Sequence, residues 1–111
     1  MTPNEYQKLA MRTCSIPYDD KKDMMYHAVF GLTSEAGEVS GILQKEYQGH
    51  NIDTTHIKKE LGDCLWMIAE ACTALGFDME DVMETNIEKL KARFPNGFEA
   101  DKSIHRKEGD I

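Results

Sequence analysis

Two long stretches of the chain place their apolar residues at steps of three and four, and this period constrains the fold more than any other feature. The first stretch runs from about residue 25 to residue 47, and the second from about residue 57 to residue 75. Such a period predicts amphipathic α-helices that each bury one stripe. No part of the sequence shows the strict alternation of a half-buried strand. The sequence therefore predicts an all-α fold in which these two helices are neighbours.

Capping and helix-breaking residues predict four helices in all. The expected boundaries, in chain order, are Thr2 to about Thr13, Asp20–Asp23 to Gly49, Asp53 or Thr54 to Gly76, and Asp78 to Phe94. Short links between the longer helices favour antiparallel neighbours. We therefore expect a single four-helix bundle-like domain over residues 1–98, followed by a charged and loosely held C-terminal tail over residues 99–111.

Length and charge limit the class of protein. A chain of 111 residues is long enough for one domain only. Its net charge of -7 leaves no basic surplus for a nucleic-acid backbone, so no nucleic-acid partner is expected. No apolar run reaches transmembrane length and no signal peptide is evident, so no membrane association is expected. The three cysteines are odd in number and are interpreted as reduced thiols of a cytoplasmic protein.

Four carboxylates form two matching pairs on the two long helices. Glu35 and Glu38 are three residues apart on the first of these helices, and Glu60 and Asp63 are three apart on the second. Residues at this spacing project to the same side of a helix, and both pairs lie at the edge of the apolar stripe rather than opposite it. If the helices pack antiparallel, all four carboxylates converge on one cleft. A divalent cation would relieve their mutual repulsion.

A single pair of this kind is more often a solvated helix face than a metal site, but two pairs with the same offset are harder to explain in that way. A di-iron carboxylate bundle is the main competitor among metal sites, and it requires a Glu-x-x-His step on two helices. The chain has no such step, and Asp53-x-x-His56 is its nearest approach. A site built only from carboxylate oxygens suits Mg²⁺, or Mn²⁺, better than a redox metal.

Three segments resemble a known superfamily. They are GLTSEAGEV at residues 31–39, ELGDCLW at residues 60–66 and NIEKLKARFPNGF at residues 86–98. They are similar to the MazG-like all-α nucleotide pyrophosphohydrolases, a superfamily that also includes dimeric dUTPases and phosphoribosyl-ATP pyrophosphatases. Its signature is EExxE, a variable spacer and ExxD, and here 21 residues separate Glu38 from Glu60. The sequence departs from the signature at Ser34, which stands in the place of the first glutamate.

The resemblance implies Mg²⁺-dependent hydrolysis of a nucleotide triphosphate between its α- and β-phosphates, giving a nucleoside monophosphate and pyrophosphate. It implies Glu35, Glu38, Glu60 and Asp63 as metal ligands. Glu35 or Glu38 would also act as the catalytic base, although Ser34 leaves that assignment open. Two alternatives remain: a phosphoribosyl-ATP pyrophosphatase, and a metal-stabilised helical interaction module without turnover.

Five further residues are candidate substrate contacts. Asn86, Lys89 and Arg93 share one face of the fourth helix, and the resemblance favours phosphate and nucleoside contacts over an ordinary polar face. Lys45 lies seven residues beyond Glu38 and could meet the phosphates or pair with an acid. Trp66 could stack on a base or fill a subunit interface. Because so few helices cannot enclose a deep pocket, we expect a homo-oligomer, either a dimer or a tetramer, whose neighbouring subunit completes the cleft.

Overall fold

The chain is built from helices joined by short links. The computed structural model describes residues 1–111, and its helices are α1 (Pro3–Ala10), α2 (Lys21–Tyr47), α3 (Thr54–Leu75), α4 (Met79–Arg93) and α5 (Ala100–Ile104). A 3₁₀ turn over Met11–Thr13 continues α1. No strand is present apart from one isolated bridge between Pro95 and Gly97. The predicted all-α class is confirmed.

The helices begin and end where local chemistry predicts. The Thr2 side chain accepts from the Glu5 amide at 3.1 Å, and Glu5 Oε2 accepts from the Thr2 amide at 3.0 Å, which completes a capping box. Asp53 caps α3 by accepting from the His56 amide at 2.9 Å. Gly76 ends α3 with a φ of +75°, a left-handed conformation that glycine adopts without strain.

Helices α2 and α3 pack antiparallel and share the largest interface of the chain. The two helices approach closely at Gly31, because a Cβ atom at this position would lie only 2.4 Å from Met67 Sδ. One turn earlier on α2, His27 Nδ1 lies 2.6 Å from Glu70 Oε1. The register therefore sets residues 27, 31 and 35 of α2 against progressively earlier turns of α3.

The core lies at one end of this hairpin, where α1, the 3₁₀ turn and the start of α4 cover it. Its buried members are Ala10, Met11, Met24, Ala69, Cys72, Ala74 and Met79. Glu70 is fully buried beside them, and its second oxygen accepts from the Cys14 thiol at 3.4 Å. A carboxylate can be buried at this point because polar side chains occupy both of its oxygens.

Helix α4 extends away from the α2–α3 hairpin. Its first amide, that of Met79, donates to Gln7 Oε1 at 2.8 Å, and α1 is its main helical neighbour. The radius of gyration is 17.1 Å, whereas a compact domain of this length would have about 13 Å. Apolar side chains on α4 remain uncovered as a result, and Met83 and Ile87 are each about half exposed.

The segment after α4, for which the sequence predicts a loosely held tail, contains one short helix and one ion pair to α4. Residues 100–104 form α5, and Asp110 returns to pair with Arg93 at 2.7 Å. The sequence does not reveal this because the pair joins residues that are far apart in the chain. No helix is both long enough and apolar enough to span a bilayer, and the three cysteines are free thiols.

Candidate metal centre

The antiparallel register of α2 and α3 brings three of the four predicted ligands together. Carboxylate oxygens of Glu35, Glu60 and Asp63 all lie within 4.8 Å of one another. Glu35 comes from α2, one turn after Gly31, and the other two residues come from neighbouring positions on α3. We call these three residues the carboxylate cluster. Glu35 and Glu60 are partly buried, and Asp63 is exposed.

The electrostatics of the carboxylate cluster are those of negative charges held close together. Burial raises the pKa of Glu35, and the negative charges of Asp63 and Glu60 raise it further. No lysine or arginine forms an ion pair with any of the three carboxylates. Their only ion-pair partner is His56, whose Nε2 lies 2.9 Å from Glu60 Oε1. Carboxylate oxygens that no lysine or arginine pairs with fit a hard divalent cation such as Mg²⁺ or Mn²⁺.

The fourth predicted ligand, Glu38, lies outside the carboxylate cluster. It is exposed on α2, and its negative charge makes the smallest contribution to the raised pKa of Glu35. Glu38 is therefore near the cluster but has not converged on it. Its role as a ligand stays a prediction.

Two neighbours of the carboxylate cluster were not predicted from the sequence. His56 precedes Glu60 by four residues on α3, a spacing that places the two side chains on one face. Tyr6 comes from α1, and its hydroxyl donates to the Gly62 carbonyl at 3.4 Å. Burial and the charge of Asp63 raise the pKa of the Tyr6 phenol. The spacing of His56 is visible in the sequence, whereas the position of Tyr6 depends on how α1 packs.

The candidate phosphate contacts on α4 are separated from the carboxylate cluster. Asn86 and Lys89 are exposed, and α4 packs mainly on α1 rather than on α2 or α3. Arg93 donates through Nε and Nη2 to the two oxygens of Asp110, at 2.9 and 2.7 Å. Within a single chain, α4 therefore does not bring these residues to the carboxylates.

The two remaining candidates lie on the hairpin itself. Lys45 is exposed near the end of α2 and forms no ion pair. The Trp66 indole N–H donates to the Ala10 carbonyl at 2.9 Å and to Thr13 Oγ1 at 3.0 Å. The polar edge of Trp66 therefore holds the end of α1 against α3. Its role in substrate binding stays a prediction.

The fold and the carboxylate cluster together define a class: an all-α domain whose helical hairpin presents acidic residues suited to a divalent cation. Residues 27–98, more than half of the chain, match the model of the MazG nucleotide pyrophosphohydrolase domain. The matched region includes the whole carboxylate cluster and α4. The chain belongs to the MazG nucleotide pyrophosphohydrolase family.

A phage protein is also similar to this chain. The Gene 37 protein of Mycobacterium phage L5 is 26% identical over 83 residues, which cover 70% of this chain and 73% of the phage protein. No solved structure matches the chain.

Proposed function

We propose that the chain is a Mg²⁺- or Mn²⁺-dependent nucleoside triphosphate pyrophosphohydrolase that cleaves ribo- or deoxyribonucleotides between the α- and β-phosphates. The observation that carries this proposal is the convergence of Glu35, Glu60 and Asp63 within 4.8 Å inside a matched nucleotide pyrophosphohydrolase domain. Three carboxylates at this distance repel one another, and a bound divalent cation would offset that repulsion.

Glu35, Glu60 and Asp63 would hold the cation, and Glu38 is the proposed fourth ligand. A bound Mg²⁺ would neutralise phosphate charge and lower the pKa of a coordinated water. Glu35 or Glu38 would accept the proton of the attacking water. The water oxygen forms the new bond to phosphorus as the bridging bond between the α- and β-phosphates breaks. The nucleoside monophosphate and pyrophosphate then leave, and no further co-reactant is required.

The cationic and aromatic candidates would position the substrate. Lys89, Arg93 and Lys45 can donate charge-assisted hydrogen bonds to phosphate oxygens. Asn86 offers both a donor and an acceptor to the sugar or base. The ring of Trp66 would supply a face for a base to stack on.

A second copy of the chain would complete this site. Met83, Ile87 and Leu90 lie at steps of four and three on α4 and are 52%, 49% and 36% exposed. Large apolar faces of this kind are normally covered, and the single chain leaves α4 apart from the carboxylates. We therefore propose a homo-oligomer, a dimer or a tetramer, in which α4 of a neighbouring subunit lies beside the carboxylate cluster. Sedimentation of the wild type and of Ile87→Glu measures this directly, with dissociation expected for the variant.

The deciding experiment measures pyrophosphate release from a panel of nucleoside and deoxynucleoside triphosphates, first with Mg²⁺ and then with EDTA. Phosphorus NMR identifies the products. We expect nucleoside monophosphate and pyrophosphate with Mg²⁺ and no products with EDTA. Nucleoside diphosphate and orthophosphate would contradict the proposed cleavage position. Turnover of phosphoribosyl-ATP alone would reassign the substrate, and no turnover of any nucleotide would favour a binding module.

Two variants test which residues are responsible. Asp63→Asn keeps the size of the side chain but removes one charged ligand, and it should reduce turnover by at least about a hundredfold. Asp19→Asn removes one charge from an exposed position before α2, outside both the carboxylate cluster and α4. Equal activity in the two variants would exclude the cluster as the metal centre.

A further inference from the structure

A charged cavity, which shares no residue with the carboxylate cluster, lies between the end of α4 and residues 101–111. Its volume is about 510 Å³, and five lysines and arginines line it alongside three acidic residues. This local excess of cations occurs in a chain whose net charge is -7. Clustered cations that face a concave surface create a field that attracts small anions.

One acidic residue of the chain, Asp110, already binds Arg93, which is one of the five cationic residues that line this cavity. Asp110 binds Arg93 through both carboxylate oxygens, and the two side chains are only 18% and 10% exposed. A turn directs Asp110 towards the arginine: Gly109 has a φ of +84°, and the Asp110 amide donates to the Lys107 carbonyl at 3.1 Å. Glycine adopts this left-handed conformation without strain.

The cationic surroundings of Asp110 stabilise its ionised carboxylate, and they would stabilise another anion in the same place. Its hydrogen bonds from Arg93, together with the charges of Arg93, Arg106 and Lys89, hold the pKa of the Asp110 carboxyl below its usual value. A guanidinium presents the same parallel donors to a carboxylate and to a phosphate. Because Asp110 already uses the Nε and Nη2 donors of Arg93, a phosphate can bind those donors only after Asp110 leaves.

We propose that this cavity is a phosphate-binding pocket, and that Asp110 is a built-in competitor which a phosphate or polyphosphate group must displace from Arg93. The proposal deepens the proposed function and rests on it for the source of the ligand. The phosphate group would belong either to the triphosphate of the substrate or to the pyrophosphate product. Lys89 and Arg106, whose charges already act on Asp110, would contact the same group.

Binding of inorganic tripolyphosphate in EDTA tests the pocket without any contribution from the carboxylate cluster. Isothermal titration should show that Asp110→Asn binds about three to ten times more tightly than the wild type, because the competing charge is gone. Arg93→Gln should weaken binding by about tenfold or more. Glu99→Gln removes the same charge from an exposed position in the same region, and it should change binding by less than about twofold.

The turn at Gly109 allows a second test that leaves Asp110 intact. Gly109→Ala strains the backbone where φ is +84°, so it should weaken the contact of Asp110 with Arg93 and tighten tripolyphosphate binding. In the wild type, saturating tripolyphosphate should shift the amide NMR signals of residues 109–111 towards their unstructured positions. Unchanged affinity in Asp110→Asn, equal effects of Asp110→Asn and Glu99→Gln, or no binding by any variant would overturn the proposal.

Turnover separates this proposal from the proposed function. A chain that binds tripolyphosphate as described but hydrolyses no nucleotide would refute the proposed function and leave the pocket in place. A chain that hydrolyses nucleotides but binds equally well with and without Asp110 would refute the pocket alone. If Asp110→Asn lowers KM for the nucleotide, the bound group is the substrate triphosphate. If it instead tightens inhibition by pyrophosphate at constant KM, the bound group is the product.

Discussion

Gly31 of α2 lies against Met67 of α3, one turn before Glu35. The substitution Gly31→Ala tests this close packing of the two helices. The added methyl would lie 2.4 Å from Met67 Sδ and 2.7 Å from Met67 Cε, where ordinary contact begins at 3.4 Å. The Met67 thioether must therefore move by about 1 Å or more. Overpacking of this kind costs about 1–3 kcal/mol, and the flexible methionine side chain favours the lower half of that range. Alanine also gains about 1 kcal/mol of helix propensity over glycine.

Gly41→Ala is the matched control, because Gly41 lies on the same helix and a Cβ atom there would meet nothing within 4 Å. It should raise the free energy of unfolding by about 1 kcal/mol through propensity alone. The free energy of unfolding of Gly31→Ala should be about 1–2 kcal/mol lower than that of Gly41→Ala, as measured by urea unfolding followed by circular dichroism. In a Met67→Ala background the two substitutions should become equivalent. Equal stabilisation by both in the wild-type background would refute the close approach of the helices.

Three further predictions concern the carboxylate cluster and the contact between α1 and α3. Glu35→Gln should melt at a higher temperature than the wild type near pH 7 in EDTA, because a raised pKa means that the ionised Glu35 carboxylate destabilises the folded state. The difference in melting temperature should disappear below about pH 4.5, where Glu35 is protonated in both states. With saturating Mn²⁺ the order should reverse, and the wild type should melt at the higher temperature. His56→Ala should weaken Mn²⁺ binding by about tenfold, because the imidazole orients a carboxylate of the cluster; calorimetry should show no such effect for His105→Ala, which breaks a similar pair elsewhere. Trp66→Phe should lower the free energy of unfolding by about 1 kcal/mol, because it removes the indole donor to Ala10; an unchanged urea midpoint would contradict that role.

The helices could be predicted from the sequence because their signals are local. Thr2, Asp53 and Gly76 act on backbone groups within a few residues, so the spacing of residue types is enough to identify them. The apolar period then indicates which faces of α2 and α3 meet. The same reasoning predicts that carboxylates of the two helices face one cleft, and the structure brings Glu35, Glu60 and Asp63 within 4.8 Å of one another. Glu38 lies further round α2, and periodicity alone does not determine whether it converges.

What the sequence could not show depends on contacts between distant segments. Gln7 of α1 accepts from the first amide of α4, and no periodicity in α4 encodes that contact. The pairing of Arg93 with Asp110 likewise depends on how the chain turns after α5. The sequence predicts Arg93 as a phosphate contact because it shares a face of α4 with Asn86 and Lys89. That reasoning considers α4 alone, so it could not identify Asp110 as the partner of Arg93.

Titration of Mn²⁺ by calorimetry tests the central claim, that Glu35, Glu60 and Asp63 form a divalent-metal centre, most directly. The wild type should bind Mn²⁺, and Glu35→Gln and Asp63→Asn should each weaken binding by at least about tenfold. Asp19→Asn, which changes the net charge equally from an exposed position before α2, should bind as the wild type does. An identical isotherm for all four proteins would contradict the account, because the bound cation would then lie elsewhere.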